Sequence, residues 1–288
     1  MALDDVMGLT NRLLTSADAL AAMTARLRLI DLGEEGDPAV RAQLDRVADA
    51  LESRELYDAL DERERAIVIA FSRSYLRQAL DLVEDPTRAP GWSYSDPVLL
   101  QAQGSASAAV AHMLARAGVG SPDARILDVG TGVAGLAIAL CSTFPESTVV
   151  GLDPWEPSLA IARKNVAEAG LESRITLLDA AIQDFDDTDG FDLVWLPSFF
   201  IPESVIDRAI ERIHDLLRPG GALVVGTAQG EAQSLDAAVD DLRTIRSGGS
   251  AAGTAYARAW LDRAGFDAVR EPDLGMDVPL GLVVGTKP

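Results

Sequence analysis

The run Ile126-Leu127-Asp128-Val129-Gly130-Thr131-Gly132-Val133-Ala134-Gly135 constrains the chain more than any other stretch, because an apolar segment breaks into three glycines and resumes as an apolar helix. Residues 125–129 suit a buried parallel strand, residues 133–141 have helical composition, and Gly130 and Gly132 let the backbone turn tightly between them. Such a corner puts a ligand at the N-terminus of the helix. The spacing Gly130-x-Gly132-x-x-Gly135 also fits the dinucleotide fingerprint, a pattern that many strand-turn-helix corners produce. Two acids narrow the reading. Asp128 brings a carboxylate beside the turn, where a pyrophosphate would meet bare amides. Asp153 closes the next apolar run, 148–152, and is placed to accept hydrogen bonds from a ribose diol.

Beyond this corner, strand and helix patterns alternate, which predicts a parallel sheet covered on both faces. Strands are expected near 125–129, 147–152, 174–178, 191–196 and 221–227, with helices near 133–143, 157–169 and 202–217. Further helices are expected over 234–245 and 254–264, and two closing strands over 266–270 and 280–286. Ahead of the corner, residues 10–85 show helical periodicity and almost nothing that reads as strand. Leu13, Leu20, Met23, Leu27 and Ile30 form a narrow apolar seam on a first helix. A second helix is expected over 38–60, and a third begins at Asp61, a plausible N-cap with Glu64 three residues later. The third carries an apolar set too wide for one face, which suits a central core helix or an interface. Residues 85–97 hold three prolines, Gly91, Trp92 and Tyr94 and read as a connection between domains, its aromatics either anchoring the linker or forming a lid. A helix over 98–117 then leads into the first strand.

The chain has 288 residues, 48% of them hydrophobic and 24% charged, a globular balance able to bury a large core. A formal net charge of −20 argues against nucleic acid and anionic membranes as partners. Cys141 is alone, so no internal disulfide forms, and a buried role on the helix after the glycines is expected. No basic region precedes an apolar stretch at the N-terminus and no apolar run is long enough to span a bilayer, so a cytoplasmic location is expected. No metal-ligand spacing stands out.

The corner, together with Leu177-Leu178-Asp179-Ala180-Ala181, Gly190-Phe191-Asp192-Leu193-Val194-Trp195 and Leu216-Leu217-Arg218-Pro219-Gly220-Gly221-Ala222-Leu223-Val224-Val225 in that order, resembles the class I S-adenosylmethionine-dependent methyltransferases over about residues 97–288. The resemblance implies an α/β fold: a Rossmann-like, seven-stranded, mostly parallel sheet with an antiparallel last strand, preceded by an all-α domain. The domains would then be 1–96, for dimerisation and for closing the substrate pocket, and 97–288, for catalysis. It implies S-adenosylmethionine as cofactor, with Gly130, Thr131 and Gly132 against its amino acid end, Asp128 orienting the ammonium and Asp153 on the ribose. Asp179 would receive the adenine amino group, Trp155 and Ile182 would cover the purine, and Ala180 and Leu196 would complete the cofactor wall. Asp192, Arg218 and Pro219 are expected to be structural.

Trp92, Tyr94, Pro197, Phe199 and Phe200 are candidate substrate contacts, at the linker and at the carboxyl edge of the sheet. The expected reaction is methyl transfer to a small-molecule or peptide-derived acceptor, most plausibly at carboxylate or hydroxyl oxygen, by a homodimer. An NAD-dependent oxidoreductase and a non-catalytic cofactor-binding relative are the rivals. Many O-methyltransferases place a histidine after the fourth strand, whereas this chain has Pro197-Ser198-Phe199-Phe200 there. Its two histidines are His214, on the edge of a helix's apolar face, and His112, a candidate base for which a packed helix position is the alternative.

Overall fold

The computed structural model describes residues 2–228, 234–274 and 280–288, and the contacts divide the chain into two units, Met1–Pro86 and Thr87–Pro288. The division falls inside the expected connection 85–97, ten residues before the boundary that the resemblance implies. Residues 87–96 pack with the second unit; the Gly91 amide, for example, donates to the Arg246 carbonyl at 3.1 Å.

The first unit is four helices: α1 (Ala2–Leu32), α2 (Pro38–Ala50), α3 (Arg54–Asp58) and α4 (Glu62–Glu84). The single helix expected over 38–60 is broken, because Glu52 takes a left-handed conformation (φ 52°) that helical periodicity cannot register. Asp37 caps α2 through the amides of Ala39 and Val40, and Asp61 and Glu64 form a reciprocal capping box on α4. Arg26 is buried on α1 and binds Asp45 (2.8 Å) and Asp58 (2.6 Å), fastening α2 and α3 to it. Of the expected seam only Met23 and Leu27 are buried; Leu13 is 57% exposed, as are Phe71 (50%) and Val83 (77%) on α4.

The second unit begins with α5 (Pro97–Arg116) and then alternates: β1 (Arg125–Val129), α6 (Gly135–Thr143), β2 (Thr148–Leu152), α7 (Glu156–Glu168), β3 (Ile175–Leu178), β4 (Phe191–Pro197), α8 (Glu203–Leu216), β5 (Leu217–Thr227), α9 (Leu235–Arg246), α10 (Thr254–Arg263), β6 (Asp267–Arg270) and β7 (Gly281–Thr286). The strand order is β3-β2-β1-β4-β5-β7-β6, with β7 antiparallel to both neighbours and the other pairs parallel. Each central strand is apolar on both faces, as a doubly covered sheet requires. Ile126, Leu193 and Trp195 face the cluster of α5, α6 and α7, while Leu127, Val194 and Leu196 face the cluster of α8 and α10. β5 starts four residues earlier than expected, because the Arg218-Pro219-Gly220-Gly221 stretch stays in the sheet across an irregularity opposite Phe191 and Leu193. Among the described residues no helix is long and apolar enough to cross a membrane.

Candidate cofactor and acceptor site

The β1–α6 corner is built by backbone conformations that side chains resist. Gly130 (φ 69°) and Gly132 (φ 58°) both lie in the left-handed region, and so does Ala134 (φ 65°), which caps α6. The corner is tied to the end of β2 on both sides. The Thr131 amide donates to the Leu152 carbonyl (2.9 Å), and the Gly132 amide donates to Asp153 Oδ2 (2.9 Å). The other carboxylate oxygen of Asp153 accepts the Trp155 amide at 2.8 Å. Asp153 therefore joins the two loops while keeping unused lone pairs on each oxygen.

Asp128 sits elsewhere than its expected place beside the cofactor's ammonium. It is 1% exposed, lies outside the cavity lining, and accepts the Thr131 hydroxyl at 2.7 Å, so it orders the turn from beneath. Burial pushes its pKa up to about 7, opposed by the Thr131 bond and assisted by the nearby Asp153 charge. Burial likewise raises the pKa of Asp153, against the two amide bonds that lower it.

A cavity of about 490 Å³ opens over the corner, lined wholly by residues of the second unit. One end has Gly130, Thr131, Gly132, Asp153 and Trp155, followed by Ala180 and Ile182. The other has Pro90 and Trp92 from the segment 87–96, then Phe200, Ile201, Pro202 and Val205 from the β4–α8 connection. The Trp92 and Phe200 rings meet edge to face with centroids 5.4 Å apart. Asp153 is the one ionisable side chain among the described lining residues.

Besides Asp128, six expected site residues lie off this wall. Asp179 is exposed and outside the lining, so the third-strand end contributes through Ala180 and Ile182 instead. Leu196 is fully buried among the α8 and α10 residues, since strand alternation turns it to the core. Pro197 backs the turn, its Cγ 3.7 Å from where a Cβ on Gly130 would be. Phe199 packs inward against Gly226 and Gly249, leaving Phe200 to face the cavity. Tyr94 contributes its carbonyl, which accepts the Trp155 indole N–H at 2.8 Å, and its ring lies against Trp92 at 5.2 Å. His112 is exposed on α5 and outside the lining. His214 is packed edge-on to Phe266 at 5.0 Å. Asp192 and Arg218 pair with each other at 2.8 Å, and Asp192 also accepts the Arg125 amide, a structural clamp as expected.

Sequence reasoning missed the α5 contribution, Leu100, Gln103, Gly104 and Ser107, and the turn at Ser247 and Gly248. One mark was visible: Gly104 interrupts a helix interior, and a Cβ there would lie 2.2 Å from Val133 Cγ2.

Residues 126–221 match a family model described as a methyltransferase domain. That segment is a methyltransferase domain. The demethylmenaquinone methyltransferase of Thermus thermophilus is 40% identical to this chain over 101 residues, 35% of this chain and 46% of that protein. Methyltransferase GfsG of Streptomyces halstedii is 34% identical over 103 residues, 35% of this chain and 36% of that protein. The chain thus spans less than half the length of these curated relatives. Among solved structures, human N-acetylserotonin methyltransferase in complex with SAM superposes with a TM-score of 0.71 at 15% identity, covering 100% of this chain and 99% of that one. The methyltransferase SibL in its apo form gives 0.68 at 24% identity over 96% and 98%. These likenesses establish that the second unit has the mixed seven-stranded methyltransferase fold, with helices ahead of it. The reversed β7 and the order β3-β2-β1-β4-β5-β7-β6 depart from the parallel order of nucleotide-dependent dehydrogenases.

Proposed function

We propose that this protein transfers a methyl group from S-adenosylmethionine to oxygen of a small-molecule acceptor. The observation that carries the reading is Asp153: its carboxylate lines the cavity, held by the amides of Gly132 and Trp155 beside the glycine turn of a methyltransferase domain. The donor set fits the cofactor chemically. A carboxylate with lone pairs to spare suits a ribose diol, the bare backbone at Gly130 and Gly132 admits a closely packed amino acid end, and Ile182 and Trp155 offer apolar cover for a purine. An acid in an otherwise uncharged lining also suits a cationic ligand. Bound there, S-adenosylmethionine supplies an electrophilic methyl carbon.

The chain's residues contribute by holding the reactants in line and excluding water, which is a large share of the catalysis such a displacement needs. Trp92, Phe200, Ile201 and Pro202 form an apolar wall for the acceptor. With Asp153 committed to the cofactor, no described lining side chain is placed to take a proton, which favours an acceptor oxygen already anionic, such as a carboxylate. The exposed apolar residues of α1 and α4 support a homodimer formed through the first unit.

Calorimetric titration tests the reading. S-adenosylmethionine should bind and NADH should not, and Asp153→Ala should weaken S-adenosylmethionine about tenfold or more, the worth of charge-assisted bonds to two hydroxyls. Equal affinity of Asp153→Ala and the parent protein would defeat the assignment, and a turnover assay separates an enzyme from a binder.

A further inference from the structure

Trp155 makes three separate contacts, each toward a different part of the cavity. Its backbone amide donates to Asp153 Oδ1 (2.8 Å), its ring lines the cofactor end, and its indole N–H donates to the Tyr94 carbonyl (2.8 Å). Tyr94 belongs to the segment 87–96, which lies across the acceptor end and carries Trp92 into the wall. That segment is internally ordered by Arg88, whose Nη1 donates to the Gly91 carbonyl (2.8 Å) and to Ser93 Oγ (3.2 Å) and whose guanidinium lies 5.5 Å from the centre of the Tyr94 ring. At its far side the Gly91 amide donates to the Arg246 carbonyl, and Gly248 packs so closely on Gly91 that a Cβ there would fall 2.9 Å from the Gly91 Cα. The segment is therefore pinned at two places: one on the turn after α9, the other on the loop that carries the ribose-binding acid.

We propose that Trp155 is a positioning residue that makes the acceptor wall depend on the cofactor loop, its indole holding the Tyr94 carbonyl and through it the Trp92 ring. The physical basis is a shared hinge. Asp153 and the Trp155 indole are fixed by adjacent backbone, so a ligand that immobilises the Asp153 loop also immobilises the segment hydrogen-bonded to it. The acceptor then meets a completed wall only when the donor is in place. The coupling rests on the cofactor reading above, whereas the indole bond itself does not.

Hydrogen exchange over residues 87–96 separates these claims, with S-adenosylhomocysteine as the probe ligand. In the free protein, Trp155→Phe keeps a ring and loses the donor, and its segment should exchange about three- to tenfold faster than in the parent, the range one hydrogen bond provides. Trp155→Gln, which keeps an N–H donor, should recover part of that protection. Adding S-adenosylhomocysteine, at a concentration that saturates each protein by its own measured affinity, should slow exchange over 87–96 in the parent and leave it unchanged in Trp155→Phe. Equal exchange over 87–96 in the parent and Trp155→Phe would overturn the proposal. So would equal slowing of exchange over 87–96 by saturating probe in the parent and in Trp155→Phe, because the segment would then respond to the ligand without the indole bond. Failure of the parent to bind the probe would strike the cofactor reading and the coupling, and the free-protein comparison would still decide the indole bond.

Discussion

Two carboxylates of the same type, one on β1 and one after β2, are given different work by a few ångströms of depth. Asp153 reaches the cavity with its bonds to backbone amides; Asp128 is sealed under Thr131. The buried acid leads to a pH prediction. Its folded pKa of about 7 lies above the ordinary 3.8, so the protonated form favours folding. That contribution is complete below the ordinary value and is lost as pH climbs through about 7. Asp128→Asn keeps an acceptor for the Thr131 hydroxyl and carries no charge. Its melting temperature relative to the parent should therefore rise between about pH 5 and pH 8, and a constant difference across that range would show that Asp128 is ionised in the fold throughout. Which of the two acids would face a ligand was only half legible in the sequence. The position of Asp153 follows from a strand that ends at Leu152, whereas the depth of Asp128 depends on how Thr131 folds back over it.

At the scale of elements, one close approach beside the site is between two helices. A Cβ on Gly135, at the start of α6, would lie 2.0 Å from the Gly104 carbonyl oxygen on α5, and backbone cannot move aside cheaply. Gly135→Ala should cost at least about 1–3 kcal/mol by denaturant unfolding and displace α5 from the cavity; an unchanged midpoint would mean that the helices separate freely. The third glycine of the fingerprint is thus a packing residue here, and the spacing alone does not say what it packs against. The strands were legible because each is a short apolar run bounded by polar or glycine residues: β1 spans the expected 125–129, and β2 and β3 start one residue later than expected. The contribution of α5 was not legible, because Gln103 and Ser107 reach the cavity through a helix crossing that lies far from the corner in sequence. Leu196 was misplaced for a simpler reason, since the last residues of a strand still alternate and every second one turns to the core.

At the scale of the whole molecule, the first unit shows Leu3, Leu13, Leu14, Phe71, Leu80 and Val83 to solvent, more large apolar side chains than four helices need leave outside. On the proposed homodimer, light scattering at micromolar concentration should report about twice the 30.5 kDa chain mass, and Leu13→Glu with Phe71→Glu should halve it. A monomeric parent would rule the dimer out. The chain's formal charge of −20 surrounds a cavity whose described lining has one acid, Asp153. On the proposed reaction the donor arrives with a sulfonium charge and its spent form leaves without one. The same field that draws the donor in has less hold on the by-product, so on that reaction the cavity distinguishes fresh cofactor from used cofactor by charge, and clearing itself after each turnover is a property of where its one acid sits.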